Sequence, residues 1–385
     1  MGDVVAYIVG LVVGFVSGLF PAIHSNTVIS ILSALDIPER DLAIMIIALY
    51  PATLITSFVP AIFFGVPDSS TVVAVLPGQR MVLSGKGLAA IKTMIFSSIV
   101  SVCISAILIY PSLGIFPIIY GTIRSQMQWV LLIFSIIFLS RSKRLFFAIF
   151  IFLIAGLLGY YSLNSQLNDP FLPLFSGMFA LAGIVNYKKS AVPEQAETPI
   201  EFDFLRFSIV GVGLGFLADF IPGVGSPAQV ATFATMIMPI NTLGYLATIS
   251  SLSISQALFS FSTAVSIDKS RVGATASLAK IMDIRENFLM IVILFILSIA
   301  ITSLVVYLLR RYFGKISSFD FSKVNYILAA YLISITFLID GFLGLMVLII
   351  STGLGWLTLR MGVERTTLMG AIIIPTLLLL FRIFL

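Results

Sequence analysis

One cysteine and one histidine are all that 385 residues offer for thiol or soft-metal chemistry. Cys103 stands alone in an apolar stretch, so no disulfide framework and no zinc site can be assembled from it. With a single imidazole, His24, no Cys–His pair exists, and no spacing supports a Ser–His–Asp arrangement. Charge is just as scarce: Asp, Glu, Lys and Arg make up 10% of the chain, against about 25% in soluble domains. There is no basic stripe for nucleic acid, and the net charge of +5 is modest. No Walker A motif is present, so ATP drive by this chain has no support. The start lacks the basic region and small-residue cleavage site of a removable leader, so Val4–Phe20 is expected to stay in the chain. These absences argue against an enzyme and against a bound cofactor.

What is abundant is apolar sequence. Hydrophobic residues reach 59%, and the mean hydropathy is +1.13. Many runs approach the ~18 to 20 residues that cross a bilayer. The expected fold is all-α and polytopic, embedded in lipid. Val4–Phe20 and Ala22–Leu35 are each short for a crossing and read as arms of a re-entrant hairpin or halves of a broken helix. Leu42–Pro60 and Leu88–Tyr110 span, a loop is expected over Pro111–Gln128, and further spans follow at Trp129–Ser140, Leu145–Tyr161 and Pro170–Tyr187. Residues 188–206 are polar, carry Pro193 and Pro199, and read as a cytoplasmic linker. After it the pattern restarts. Gly14-Phe15, Pro21, Ser25 and Pro38 align at one constant offset with Gly215-Phe216, Pro222, Ser226 and Pro239. Residues 1–187 and 207–385 are therefore expected to be two transmembrane repeats.

Charge asymmetry orders the loops. Arg141, Lys143 and Arg144, then Lys188 and Lys189, then Arg310, Arg311, Lys315 and Lys323, and finally Arg360 and Arg365 mark inside segments. Tyr161–Asp169 has no Lys or Arg and Asp340 has only apolar neighbours, so both are placed outside, with both chain termini. Leu88–Tyr110 then starts inside and its counterpart Phe288–Leu309 starts outside. The halves are expected to be inverted, an architecture of secondary transporters whose site lies at the repeat interface.

Four stretches break the helical pattern where lipid surrounds them, which is tolerated only when the backbone is buried in protein or lines a wet cavity. The first holds Pro21, His24, Ser25, Asn26 and Thr27, and the second Gly65, Pro67, Asp68, Ser69, Ser70 and Thr71. The third holds Asp219, Pro222, Gly223, Gly225 and Ser226, and the fourth Ser260, Ser262, Thr263, Ser266 and Asp268. Helix ends freed by such breaks present unpaired N–H groups suited to a carboxylate or phosphate. Hydroxyls with a nearby carboxylate suit Na⁺. The bland alternatives are specific too. Any one hydroxyl often only bonds a backbone carbonyl. Asp219 can lie at the membrane surface, Asp68 and Asp268 in wet loops, and His24 can cap a helix rather than relay a proton.

At these motifs the chain resembles the large membrane subunit of the tripartite tricarboxylate transporter permease family. Gly211, Gly215 and Pro222-Gly223-Val224-Gly225 look like its helix-break motif, with Ser226 in place of the last glycine. Gly14, Gly18 and Pro21-Ala22 form a decayed copy. Gly65-Val66-Pro67-Asp68-Ser69, then Pro77-Gly78-Gln79-Arg80-Met81, then Gly85-Lys86-Gly87-Leu88-Ala89 follow a second family run, with Pro77 where the family usually has Asp. The resemblance implies carboxylate uptake on an ion gradient, a small membrane subunit and an extracytoplasmic solute-binding protein.

The expected function is secondary active transport of a small organic anion, di- or tricarboxylate-like, coupled to Na⁺ or H⁺ by alternating access in the cell membrane. Pro21, His24, Ser25, Asn26, Gly65, Pro67, Ser69, Ser70, Thr71, Pro222, Gly223, Gly225 and Ser226 would bind the anion. Asp68, Asp219, Ser262, Thr263 and Asp268 would hold the ion. The alternative is a translocase for a phosphorylated lipid carrier, whose headgroup would use the same helix ends. A homodimer is left open.

Overall fold

The computed structural model describes residues 2–20, 25–33, 35–65, 71, 74–140, 142–186, 193–199, 203–218, 241–270, 272–317 and 321–383. Among them every regular element is a helix. The first part of the chain gives α1 (Asp3–Leu19), α2 (Ser25–Ser33), α3 (Glu39–Thr56), α4 (Phe58–Phe63), α5 (Val75–Leu83) and α6 (Gly87–Ile123). Next come α7 (Met127–Ser140), α8 (Leu145–Leu163), α9 (Phe171–Phe175) and α10 (Ala182–Val185), the last two joined by a π-helical turn over Ser176–Leu181. The remainder forms α11 (Phe204–Ala218), α12 (Thr242–Ile267), α13 (Gly273–Ile281), α14 (Phe288–Ser317), α15 (Phe321–Arg360) and α16 (Gly370–Leu380). By length and composition, five helical stretches among the described residues can cross a membrane.

Two glycine-bearing helices organise the core. α1 lays Gly10 and Gly14 on the backbone of α3, where a Cβ on Gly14 would stand 2.3 Å from the Leu49 carbonyl oxygen. Only bare Cα atoms allow helices to approach so closely, and in lipid that packing replaces the missing hydrophobic drive. Gly10 faces Met45, Gly14 faces Leu49 and Gly18 faces Thr53, so the two helices run parallel. An ion pair between Arg40 and Asp3 (2.7 Å) sets their starts side by side. The chain from Leu19 to Glu39 must therefore return the length of α1, roughly 25 Å at about 1.5 Å per residue. The short apolar segments at the start are thus the outward and return arms of one hairpin.

The same packing recurs in the second half. Gly211 faces Thr248 and Gly215 faces Leu252, so α11 and α12 also run parallel. The glycines keep the constant offset of the sequence repeat, and so do their partners Met45/Thr248 and Leu49/Leu252 with an offset of their own. α6 runs alongside α12, tied by Ser251 Oγ to the Ser97 carbonyl (3.0 Å) and Ser101 Oγ to the Ser251 carbonyl (2.7 Å). α14 runs against α6, with Phe96 on Tyr307 and Tyr110 on Phe288. Arg285, just before α14, donates to the Val265 carbonyl near the end of α12 (2.8 Å), and Ser298, in the first half of α14, meets Tyr7 near the start of α1 (2.8 Å). The α1/α3 pair therefore points opposite to the α11/α12 pair. Cross-contacts are reciprocal: α3 packs on α14 as α12 packs on α6, and α13 packs on α3 as α5 packs on α12.

The other helices flank this core. α15 is two arms, not one rod. At Gly341 the backbone takes φ 63° and ψ −152°. Thr336 Cγ2 lies 3.2 Å from where a Cβ of Gly344 would sit, although eight residues of straight helix span about 12 Å. The chain doubles back there, as the polar Asp340-Gly341 pair between two apolar runs implies. Asn168 and Asp169 close over the tip, the first donating to the Ile339 carbonyl (2.5 Å) and the second's N–H to Asp340 Oδ1 (2.9 Å). Near the other end of the second arm, Arg144 donates to the Met361 carbonyl (2.6 Å).

One expectation changes. No loop follows Tyr110: α6 continues through Pro111 and Pro117 to Ile123. A helix loses one hydrogen bond at each proline, whereas a lipid-exposed loop would strand many backbone groups. Within the polar linker, residues 193–199 are held against the body of the protein by Gln195 and Glu197.

Candidate functional site

α1 stops partway along the α3/α4 rod, and α11 is described as far as Ala218. Gly18 faces Thr53 and Thr56, well within the 25-residue rod of α3 and α4. A Cβ on Gly18 would stand 2.0 Å from Thr56 Oγ1. α3 itself is interrupted next to this level, at Ser57. Ser17, Thr53 and Thr56 gather here and are buried. Ser17 Oγ and Thr53 Oγ1 lie 3.3 Å apart, and Thr53 Oγ1 donates to the Gly14 carbonyl at 3.2 Å. In the second half, Gly215 faces Leu252, Ser255 and Gln256, near the middle of the 26-residue α12. Ser255 Oγ donates to the Ser251 carbonyl (2.8 Å) and reaches the Gly211 carbonyl (3.5 Å). α1 thus ends on a hydroxyl-bearing face of its partner, and α11 packs on one.

The stretches beyond these ends hold most of the expected site residues. Pro21, His24, Pro67, Asp68, Ser69, Ser70, Asp219, Pro222, Gly223, Gly225 and Ser226 lie outside the described residues. Seven of the expected residues are placed. Ser25 opens α2 and is buried. Asn26 packs directly on Gly273, at the start of α13 in the second half: a Cβ on that glycine would stand 2.3 Å from the carboxamide oxygen. Close by in sequence, Thr275 Oγ1 and Ser260 Oγ share a hydrogen bond of 2.6 Å. The start of α2, just after the break of the first half, therefore abuts the start of α13, and α2 rests on both α3 and α13.

Gly65 and Thr71 stay with α4 and α5. Gly65 adopts φ +68° under the Gln79 side chain, which donates to the Ile62 carbonyl (2.9 Å). Thr71 is buried, and its carbonyl accepts the Ala74 N–H (2.8 Å). Ser262 and Thr263 are buried, and their hydroxyls donate to the carbonyls of Ile109 (3.4 Å) and Ser260 (2.9 Å). Asp268 is exposed at the end of α12, where it takes a left-handed conformation (φ 52°). These three hold backbone or face water, the bland alternative for them. Among the described residues no cluster of three or more His, Cys, Asp or Glu could hold a metal.

The hydroxyls that the breaks stop against, Ser17, Thr53, Thr56 and Ser255, were not singled out from sequence. Their signal was faint but present: each lies near a glycine of the helix-break pattern or one turn from a partner across the pair. Lys92, one turn inside α6, has the long stem that could let its charge snorkel to the membrane surface. It is buried instead and ion-paired with Glu197 at 2.9 Å.

Helices of this length and apolarity, one of them halted partway along a parallel partner, define a polytopic membrane protein. Residues 4–370 match the tripartite tricarboxylate transporter TctA family, and the chain belongs to that family. Its members are transporters, not enzymes. The chain is also similar to an uncharacterised protein of Methanocaldococcus jannaschii, 26% identical over 396 residues and covering 97% of this chain and 98% of the relative. No solved structure matches it.

Proposed function

We propose that the protein is an ion-coupled secondary transporter for a small organic anion of the di- or tricarboxylate class, built from two inverted repeats. The observation that carries the reading is α1, which stops partway along the α3/α4 rod, while α11 packs in the same glycine-led way on the oppositely directed α12. The stopped end of α1 frees carbonyls, so the N–H donors for a carboxylate would come from the start of the helix that follows the break, which in the first half is α2, opened by Ser25. The first repeat would contribute Ser25 and Asn26, and the stretch around Pro222 the closest backbone approach. Na⁺ or H⁺ would be the coupling ion, with Asp68 or Asp219 helping to hold it. The end where α6 starts carries Arg80, Lys86 and Lys92, and α14 brings Arg310, Arg311 and Lys315 to it. By the positive-inside rule that end faces the cytoplasm and the N-terminus faces out. A small membrane subunit and an extracytoplasmic solute-binding protein are the partners that family membership points to.

Uptake of labelled citrate into proteoliposomes, with and without an imposed Na⁺ or pH gradient, tests the proposal. Accumulation above equilibrium only when a gradient is applied is the expected result. Flux that ignores both gradients, or no uptake of any di- or tricarboxylate tried with the partner subunits supplied, would overturn it.

A further inference from the structure

Residues 193–199 bind to both halves of the protein at one place. On the first half, the Ala196 N–H donates to the Gly85 carbonyl (2.9 Å), the Gln195 amide to the Val82 carbonyl (3.0 Å), and Gln195 Oε1 accepts the Gly87 N–H (2.7 Å). The segment thereby caps the turn between α5 and α6. Lys92, one turn further along α6, pairs with Glu197 Oε2 (2.9 Å) and donates to the Thr198 carbonyl. On the second half, Arg310 and Arg311 of α14 reach Glu197 Oε1 at 2.9 and 3.2 Å. Glu197 is thus shared by three cations drawn from two helices.

The packing explains why it is needed. α6 and α14 run antiparallel, with Phe96 on Tyr307, so Lys92 and the Arg310–Arg311 pair arrive at the same level. The side chains of Lys92 and Arg310 are only 8% and 13% exposed. Like charges brought together with so little water repel strongly, and removing the shared counter-ion of a buried cluster leaves them uncompensated. The two helices meet here too, since a Cβ on Gly314 would lie 3.0 Å from the Leu88 side chain, at Cδ2. Without a carboxylate from the strap, this end of the α6/α14 contact would be held apart.

We propose that the segment around Glu197 is an electrostatic clasp that keeps this end of the two halves closed, so that its loss shifts the resting protein toward a state open at that end. The idea that such an opening belongs to a transport cycle rests on the transporter reading. The clasp itself rests on the contacts alone.

The test uses the full chain with Cys103→Ala, carrying Leu88→Cys and Gly314→Cys, and a short bifunctional thiol cross-linker in native membranes. With Glu197 intact the pair should cross-link efficiently. Glu197→Gln should lower the yield several-fold, and Lys92→Gln added to it should restore the yield by removing the first half's cation. Glu197→Asp, which keeps the charge but shortens the reach, should fall between and covers the case in which the glutamine variant does not fold. Cross-linking unchanged in the glutamine or aspartate variant, or not restored by Lys92→Gln, overturns the clasp. Citrate uptake is measured in the same preparations. If no di- or tricarboxylate is taken up with the partner subunits supplied while cross-linking responds as expected, the transport reading fails and the clasp stands. If uptake is gradient-driven but cross-linking does not respond, the reverse holds.

Discussion

Asn26 packs on the bare Cα of Gly273, so that one residue at the helix break of the first half touches the first residue of a helix in the second. A methyl group on Gly273 would meet only the far end of the Asn26 side chain, with its nearest atoms at 2.3 to 2.6 Å. That end can swing away, so Gly273→Ala should cost about 1 kcal/mol or less in stability. It should nevertheless displace the carboxamide. If Asn26 helps hold the anion, Gly273→Ala and Asn26→Ala should each raise the KM for uptake by about tenfold, equal to ~1.4 kcal/mol of lost binding. The double variant should be no worse than either single one, because both remove the same contact. Additive losses would show that Asn26 and Gly273 act separately.

Gly14 of α1 and Gly215 of α11 give a sharper stability prediction, because backbone lies against both. Gly14→Ala would press a methyl on the Leu49 carbonyl, and Gly215→Ala on Ser255 Oγ at 1.9 Å and on Gln256 N and the Leu252 carbonyl, both 2.9 Å away. Neither helix pair can yield without separating. Each substitution should cost about 1 to 3 kcal/mol, the usual range for overpacking. Gly213→Ala is the control, since nothing lies within 4 Å of its Cβ position. Thermal unfolding in detergent should show Gly14→Ala and Gly215→Ala clearly lowered and Gly213→Ala unchanged.

Those glycines also mark what could be read beforehand. The offset between Gly14 and Gly215 was visible in the sequence because close helix approach demands a residue without a side chain. The same demand kept the matching partners in α3 and α12. The apolar runs were legible because lipid imposes length and composition together. Prolines misled at Pro111 and Pro117, where a bilayer favours a kinked helix over a loop. The partners of Glu197 were hidden for another reason. Its contacts join residues more than a hundred positions apart, and a polar stretch with two prolines looks the same whether it is loose or strapped down.

Glu197 makes stability depend on pH with a definite sign. Partial burial pushes its carboxyl up, but hydrogen bonds from Lys92 and Arg311 and the nearby Arg310 charge outweigh that and hold it below its ordinary value of 4.5. A carboxyl depressed in the folded state contributes stability that is present in full above its unfolded value. That contribution is lost as pH falls through the lower folded value. Melting temperature followed from pH 7 downward should therefore drop in the wild type on the acid side of 4.5. Glu197→Gln should start lower at pH 7 and lose less over the same acid range. Parallel curves for the two proteins would show that Glu197 does not carry this part of the pH dependence.

The tip of α15 separates a backbone requirement from a side-chain one. Gly341 lies at φ 63° and ψ −152°, a region that residues with a Cβ essentially do not enter. Gly341→Ala should cost about 1 to 3 kcal/mol, although nothing lies within 4 Å of the added methyl. Asp340 uses Oδ1 to accept the Asp169 N–H, and an amide oxygen can do the same. Asp340→Asn should therefore leave the melting temperature nearly unchanged, while Asp340→Ala should lose about 1 kcal/mol with the hydrogen bond. The order expected from thermal unfolding is Gly341→Ala at least as damaging as Asp340→Ala, and both worse than Asp340→Asn. If Asp340→Asn proves as damaging as Asp340→Ala, the negative charge rather than the hydrogen bond holds the 164–170 loop over the tip. Asp340 would then have to be reconsidered as a charged group in its own right, with its second oxygen, which has no partner among the described residues, as the place to look.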